Sequence, residues 1–291
     1  MEKPRYIDPT SDFGFKRIFA SEPNKDLLIS FINELFRGRK IVVDLSYDKN
    51  EFVGDTDELG SVILDLTCTA SNGERFVIEV QRTSQVNFKR RMLYYGSKLI
   101  ADQAPKGKRK EWAYDISEVY VIVLMDGFAM PGSEHTEQYL HDVCLCDRDT
   151  GKVFYDHLEF FYIELVNFVK EESELQSDLE SWLFVLKNMS RLDKIPVYLR
   201  KPIFEKLFQI AEYSKLSKEE KAMYDVSLKR KWDNKAVLDY ARQEGVEKGK
   251  MEVVENLITE LGLPDDTIAR VAEVSLETVK KIRMDLQSKK K

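Results

Sequence analysis

Asp65, Glu79 and Gln81 are the residues of this chain whose types and spacing could do chemistry. They lie in two apolar-rich stretches, Val62 to Thr69 and Arg75 to Gln81, joined through Ser71-Asn72-Gly73. A three-residue loop with glycine in its left-handed position is a common hairpin connection, so the spacing predicts two paired antiparallel strands. In that register Leu64, Leu66 and Cys68 share an apolar face with Phe76, Ile78 and Val80. The other face carries Ile63, Asp65 and Thr67 against Val77, Glu79 and Gln81, with Asp65 directly across from Glu79. A two-residue turn would shift the register by one and split the apolar face. Two carboxylates opposed across a sheet repel. A lysine or arginine from a neighbouring helix would relieve them. So would a hard cation, Mg²⁺ or Mn²⁺, held by Asp65, Glu79 and the backbone carbonyl of Val80.

These strands need a framework. Asp12 to Ala20 and Asn24 to Phe36 carry apolar residues at helical spacing, and Gly38 ends the second helix. Ile41 to Tyr47 reads as a strand and Gln85 to Gln103 as a helix. The apolar run Val119 to Leu124 suits a central strand covered on both faces. Tyr139 to Cys146 and Lys152 to Leu165 form a second hairpin about Asp147 to Gly151. Helices follow at Ser173 to Arg191, Lys201 to Tyr213 and Ser217 to Leu261, the last opening with the capping box Ser217-Lys-Glu-Glu220. Pro264 to Arg283 reads as two short helices. The expected organisation is an α/β core over 1–170, a helical extension over 171–261, and a helix-turn-helix-like hairpin with a basic tail over 262–291.

The 291 residues are 43% apolar and 33% charged, with only 13 Gly and 8 Pro, which excludes collagen-like and broadly disordered classes. No run approaches the roughly eighteen apolar residues of a membrane helix. The N-terminal Met1-Glu-Lys-Pro-Arg-Tyr has no apolar stretch behind its charges, and 3 Cys make no disulfide framework, so the expected location is cytoplasmic, without a membrane partner. A net charge of −6 argues against nucleic-acid binding by the whole surface. Locally, however, Arg82 to Lys110 holds nine basic side chains against one acid, Asp102. Such a run is commonly a solvated helix face. Beside a metal site it suits contacts to DNA phosphates through Lys89, Arg90, Arg91, Lys106, Lys108, Arg109 and Lys110. Tyr94 and Tyr95 read as packing residues, of which only one can face the sheet.

Other signals are weaker. Cys144 and Cys146, with His135 and His141 nearby, do not match zinc-finger spacing and fit a core or edge strand better. No G-x-S-x-G elbow or phosphate-binding P-loop occurs. In Leu263 to Ile282, Ala269 permits close helix contact and Val279 packs the second helix back, as in a helix-turn-helix. Glu273 stands where the turn needs a left-handed residue, usually glycine. DNA reading and packing or dimerisation both fit that segment.

Asp65 followed by Glu79-Val-Gln81 resembles the PD-(D/E)xK nuclease core, with Gln81 at the place usually held by lysine. Asp12-Phe-Gly-Phe-Lys16-Arg-Ile-Phe19, Phe31-Ile-Asn33, Phe88-Lys-Arg-Arg91-Met-Leu-Tyr94-Tyr95 and Asp102-Gln103 add a resemblance to the recombination-promoting nuclease and transposase family, from about Tyr6 to Phe168. The resemblance implies a restriction-endonuclease-like α/β fold, a mixed sheet flanked by helices, and Mg²⁺- or Mn²⁺-dependent endonucleolytic cleavage of DNA. It implies Asp65 and Glu79 as metal ligands and Gln81 as the group orienting water. A neutral amide supplies no cation, so positive charge must come from elsewhere, and Lys16, Lys89 and Arg91 are the residues available. Asp12 is a further acidic group for the site. The alternative is a catalytically weak or inactive DNA-binding recombination accessory protein on the same scaffold. DNA is the expected partner, and a homodimer stays open.

Overall fold

The computed structural model describes residues 4–52, 62–104, 113–133 and 137–288. The chain divides into two compact units, Met1–Leu228 and Lys229–Lys291. Among the described residues no helix is long and apolar enough to cross a membrane.

The first unit is built on a six-stranded mixed sheet. Its strands are β1 (Leu45–Tyr47), β4 (Leu66–Ala70), β5 (Arg75–Gln81), β6 (Val119–Met125), β7 (Leu140–Cys146) and β8 (Val153–Glu164), in the order β1-β4-β5-β6-β8-β7. β5, β6 and β8 run parallel, while β1, β4 and β7 pair antiparallel with their neighbours. β2 (Glu51–Phe52) and β3 (Val62–Ile63) form a separate antiparallel pair.

β6 is the centre, and every one of its residues is buried. Tyr120, Ile122 and Leu124 point into one apolar layer, with Phe76 and Ile78 of β5. The helices α1 (Asp12–Phe19), α2 (Lys25–Phe36), α4 (Asp178–Asn188) and α5 (Pro202–Ala211) close that layer with Phe15, Phe31, Trp182, Phe204 and Phe208. Val119, Val121 and Val123 point the other way, against Phe88, Met92, Tyr95 and Leu99 of α3 (Phe88–Ala101). The period-two alternation of a strand thus serves two cores at once, which is why β6 reads as an unbroken apolar run.

Several elements are shorter than the sequence suggests. The strand expected over Ile41 to Tyr47 is confined to β1, and the helix expected from Ser173 begins at Asp178, where the Ser177 side chain accepts the Glu180 N–H at 3.2 Å. The left-handed stop of α2 starts at Arg37 (φ 51°), one residue before Gly38.

α6 (Lys218–Thr259) runs on into the second unit, which also holds α7 (Asp265–Val271) and α8 (Leu276–Ser288). Val254, Ile268, Ala272 and Val279 form its small core. Glu273 does adopt the left-handed backbone, with φ 52°. Lys250 steadies it, donating to its carbonyl and its carboxylate at 3.2 Å each.

Candidate functional site

The hairpin takes the expected register: Leu66 pairs with Ile78, Thr67 with Val77 and Cys68 with Phe76. Gly73, at φ 93°, makes the turn. The strand expected over Val62 to Thr69 is nevertheless broken at Leu64 and Asp65. Leu64 therefore packs with Val77 on the α3 side rather than with Leu66 and Cys68. The Ile63 side chain lies outside the described residues.

The break has an identifiable cause. Asn50 substitutes its own backbone and side chain for a strand partner. Its carbonyl accepts the Leu64 N–H (2.8 Å), its Nδ2 donates to the Asp65 carbonyl (3.2 Å), and its Oδ1 accepts the Thr67 N–H (3.0 Å). The bend frees Asp65 to exchange contacts with β5. The Asp65 N–H donates to Glu79 Oε1 at 3.0 Å, and the Val80 N–H donates to Asp65 Oδ2 at 2.8 Å. Gln81 Nε2 donates to Glu79 Oε2 at 3.0 Å, so Asp65, Glu79 and Gln81 are brought together.

Glu79 is 3% exposed and Asp65 is partly buried, yet neither forms an ion pair with a described residue. Burial pushes the Glu79 carboxyl up to about 7, and the neighbouring Asp65 charge pushes the same way. The Asp65 N–H, the Arg91 charge and the Gln81 amide pull against that rise. Asp65 is also raised, first by burial and then by Asp12, against the pull of the Val80 N–H, Lys16 and Arg82. A buried carboxyl whose acidity a second carboxyl weakens is short of positive charge.

Asp12 opens α1 but does not join the pair. It is held by Lys16 at 2.8 Å and reaches Asp65 only through its charge. The turn before α1 is tightly built. Ser11 Oγ accepts the Gly14 N–H at 3.0 Å, and a Cβ on Gly14 would lie 2.0 Å from the Asp8 carbonyl oxygen. Arg82, just past β5, donates Nε to the Thr10 carbonyl at 3.0 Å, and the Thr10 hydroxyl donates to Asp126 after β6 at 2.7 Å. The start of α1 is thereby tied to the ends of β5 and β6.

On α3, Lys89 and Arg90 are exposed and Arg91 is half-buried. Tyr95 is buried while Tyr94 is exposed, so one of the two tyrosines faces the sheet, as expected. Lys106, Lys108, Arg109 and Lys110 lie outside the described residues, as does His135. Cys144 and Cys146 sit on the edge strand β7. Among the described residues no three His, Cys, Asp or Glu side chains gather into a group that could hold a metal ion.

A family model described as PD-(D/E)XK nuclease family transposase matches residues 9–241. The chain belongs to that family. No curated protein and no solved structure matches it. The mixed sheet flanked by helices, with a helical C-terminal part, is consistent with the family's restriction-endonuclease-like fold. A nuclease-type hydrolase with DNA as substrate is what membership in a PD-(D/E)XK nuclease family implies, and such nucleases generally use divalent metals.

This member's residues fit such an ion in one respect. The chemistry of the donor set, a buried carboxylate beside a partly buried one with no ion-pair partner among the described residues, is that of a hard-metal site. Asn50, Arg82 and Tyr95 are the site residues that sequence reasoning missed or read otherwise. Asn50 stands outside both hairpin strands, Arg82 counted only as one basic residue of a run, and Tyr95 read as packing.

Proposed function

We propose that the chain is a divalent-metal-dependent endonuclease that hydrolyses DNA phosphodiester bonds in the service of DNA rearrangement. The observation that carries this reading is the Asp65–Glu79 pair, Glu79 buried and Asp65 partly so, side by side without an ion-pair partner among the described residues. Asp65, Glu79 and the Val80 carbonyl would hold Mg²⁺ or Mn²⁺. When bound, the ion would polarise the phosphate and lower the pKa of water.

The chain's own residues have separate tasks. Gln81, already donating to Glu79, orients the attacking water. The water loses a proton to solvent as its oxygen bonds to phosphorus and the bond from phosphorus to one ester oxygen breaks, and the leaving oxygen takes a proton from solvent. Asn50 fixes the bend that aims Asp65. Lys89 and Arg90, exposed on α3 and without ion-pair partners among the described residues, contact the phosphate backbone, together with Lys106, Lys108, Arg109 and Lys110.

Plasmid nicking in Mg²⁺ or Mn²⁺ tests the reading. Asp65→Ala should abolish cleavage while the thermal melt stays intact. Wild-type protein that cuts no DNA under varied divalent metals would sink it and favour a non-catalytic DNA-binding role.

A further inference from the structure

Of the cations whose charge reaches the carboxylate pair, two are committed elsewhere. Lys16 is paired with Asp12 at 2.8 Å, and Arg82 is spent on the Thr10 carbonyl. Arg91 is different. Its guanidinium lies over the Tyr95 ring, 5.7 Å from the centroid, and Nη1 donates to the neutral Gln85 Oε1 at 2.6 Å. Its Nε is buried with no hydrogen-bond partner, and the side chain forms no ion pair among the described residues. Arg91 is nonetheless close enough for its charge to act on Glu79. Tyr95, one turn along α3, feels Arg91, Glu79 and Asp65 together.

A guanidinium serving only as counter-charge to Glu79 would form a salt bridge with it, because a bidentate arginine–carboxylate contact is the strongest arrangement open to that pair. Here the ring and the neutral amide orient the guanidinium and leave its charge unneutralised. Nη1 is taken by Gln85 and Nε is closed off from solvent, so Nε reaches an anion only when a neighbouring side chain shifts. A guanidinium edge opened in that way matches two oxygens of a phosphate. A buried donor without an acceptor is rare enough to need a reason, and an arriving anion supplies one. The neutrality of Gln81 sharpens the need, since Arg82, the cation next along, already donates to the Thr10 carbonyl.

We propose that Arg91 is the phosphate-binding cation of this site, and that Tyr95 and Gln85 are the residues that position it. The inference rests on the two-carboxylate reading above. Its substrate contact is with the nonbridging oxygens of the phosphate under attack, where negative charge grows as the water oxygen approaches.

The test uses the full chain. Arg91→Ala should lower kcat for plasmid nicking by about 10²- to 10³-fold, the loss typical of one preorganised donor. Mn²⁺ titration by calorimetry should show binding undiminished, because a positive charge has been removed from beside the ion. Without any metal, anisotropy of a labelled oligonucleotide should show the log–log salt slope reduced by roughly one unit. Arg91→Lys should keep the fold and recover part of the activity. Tyr95→Phe, which retains the ring, should remain active, and Tyr95→Leu should not. Nicking at the wild-type rate by Arg91→Ala overturns the proposal. So does loss of Mn²⁺ binding and melt in both Arg91 variants, which would make the residue structural. Wild-type protein that binds no Mn²⁺ and does not cut, yet loses oligonucleotide affinity in Arg91→Ala, overturns the carboxylate reading while the phosphate contact stands.

Discussion

The two ends of β5 each carry a buried glutamate, and the fold treats them differently. Glu74, just before the strand, is 4% exposed and shares Lys40 with Glu118, whose carboxylate also accepts the Tyr120 hydroxyl at 2.7 Å. Glu79, near the far end, is 3% exposed and has no cation at ion-pair distance among the described residues; its close carboxyl neighbour is Asp65. Two other buried glutamates follow the first pattern: Glu159 meets Arg39 at 3.2 Å and Glu180 meets Lys170 at 2.6 Å. Glu164 is served by neutral donors instead, accepting the Met130 N–H at 2.8 Å and the Ser133 hydroxyl at 2.6 Å. Where a buried carboxylate serves the fold, this protein supplies a partner. At Glu79 it supplies a second carboxylate, an arrangement that costs stability until a cation arrives.

That contrast can be broken from either end, with opposite signs. Lys40→Met should destabilise the chain by about 3 kcal/mol in denaturant unfolding, because Glu74 would be left buried and unpaired. It should leave divalent-metal binding unchanged. Glu79→Gln should do the reverse. The Glu79 carboxyl is raised from its ordinary 4.5 to about 7, so its contribution to stability is full below pH 4.5 and is lost as pH rises through about 7. Removing the charge should stabilise the metal-free chain at pH 8 by on the order of 2 kcal/mol and flatten that pH dependence. Equal destabilisation by both substitutions would erase the distinction between the two ends.

The hairpin's register was legible because Gly73 and the alternation of Leu66, Cys68, Phe76 and Ile78 constrain the same thing. The break before Asp65 was not, since it depends on Asn50, fifteen residues away and outside both strands. The tie from Arg82 to Thr10 spans 72 residues and is equally invisible to local pattern. Periodicity gave α4 and α5 an apolar face without naming its partner. Trp182 and Phe204 pack into the main core with Phe19 and Phe31 of α1 and α2.

Asn50 offers a smaller perturbation of the same contrast. Asn50→Ala removes side-chain hydrogen bonds to Asp65 and Thr67 and should cost about 1 kcal/mol of stability. Because it loosens the bend that aims Asp65, metal affinity should fall roughly tenfold, as when a supporting outer contact is lost. Thermal melts and metal titration on one preparation separate the two effects.

The measurement closest to the central claim is calorimetric titration of Mn²⁺ into the full chain at pH 6 and at pH 8, for wild type and Glu79→Ala. Wild type should bind Mn²⁺, and more tightly at pH 8, because the ion must displace the proton that burial and Asp65 keep on the Glu79 carboxyl. Glu79→Ala should show no binding event. Binding that is independent of pH and survives the loss of Glu79, or no binding by wild type at either pH, would contradict that claim.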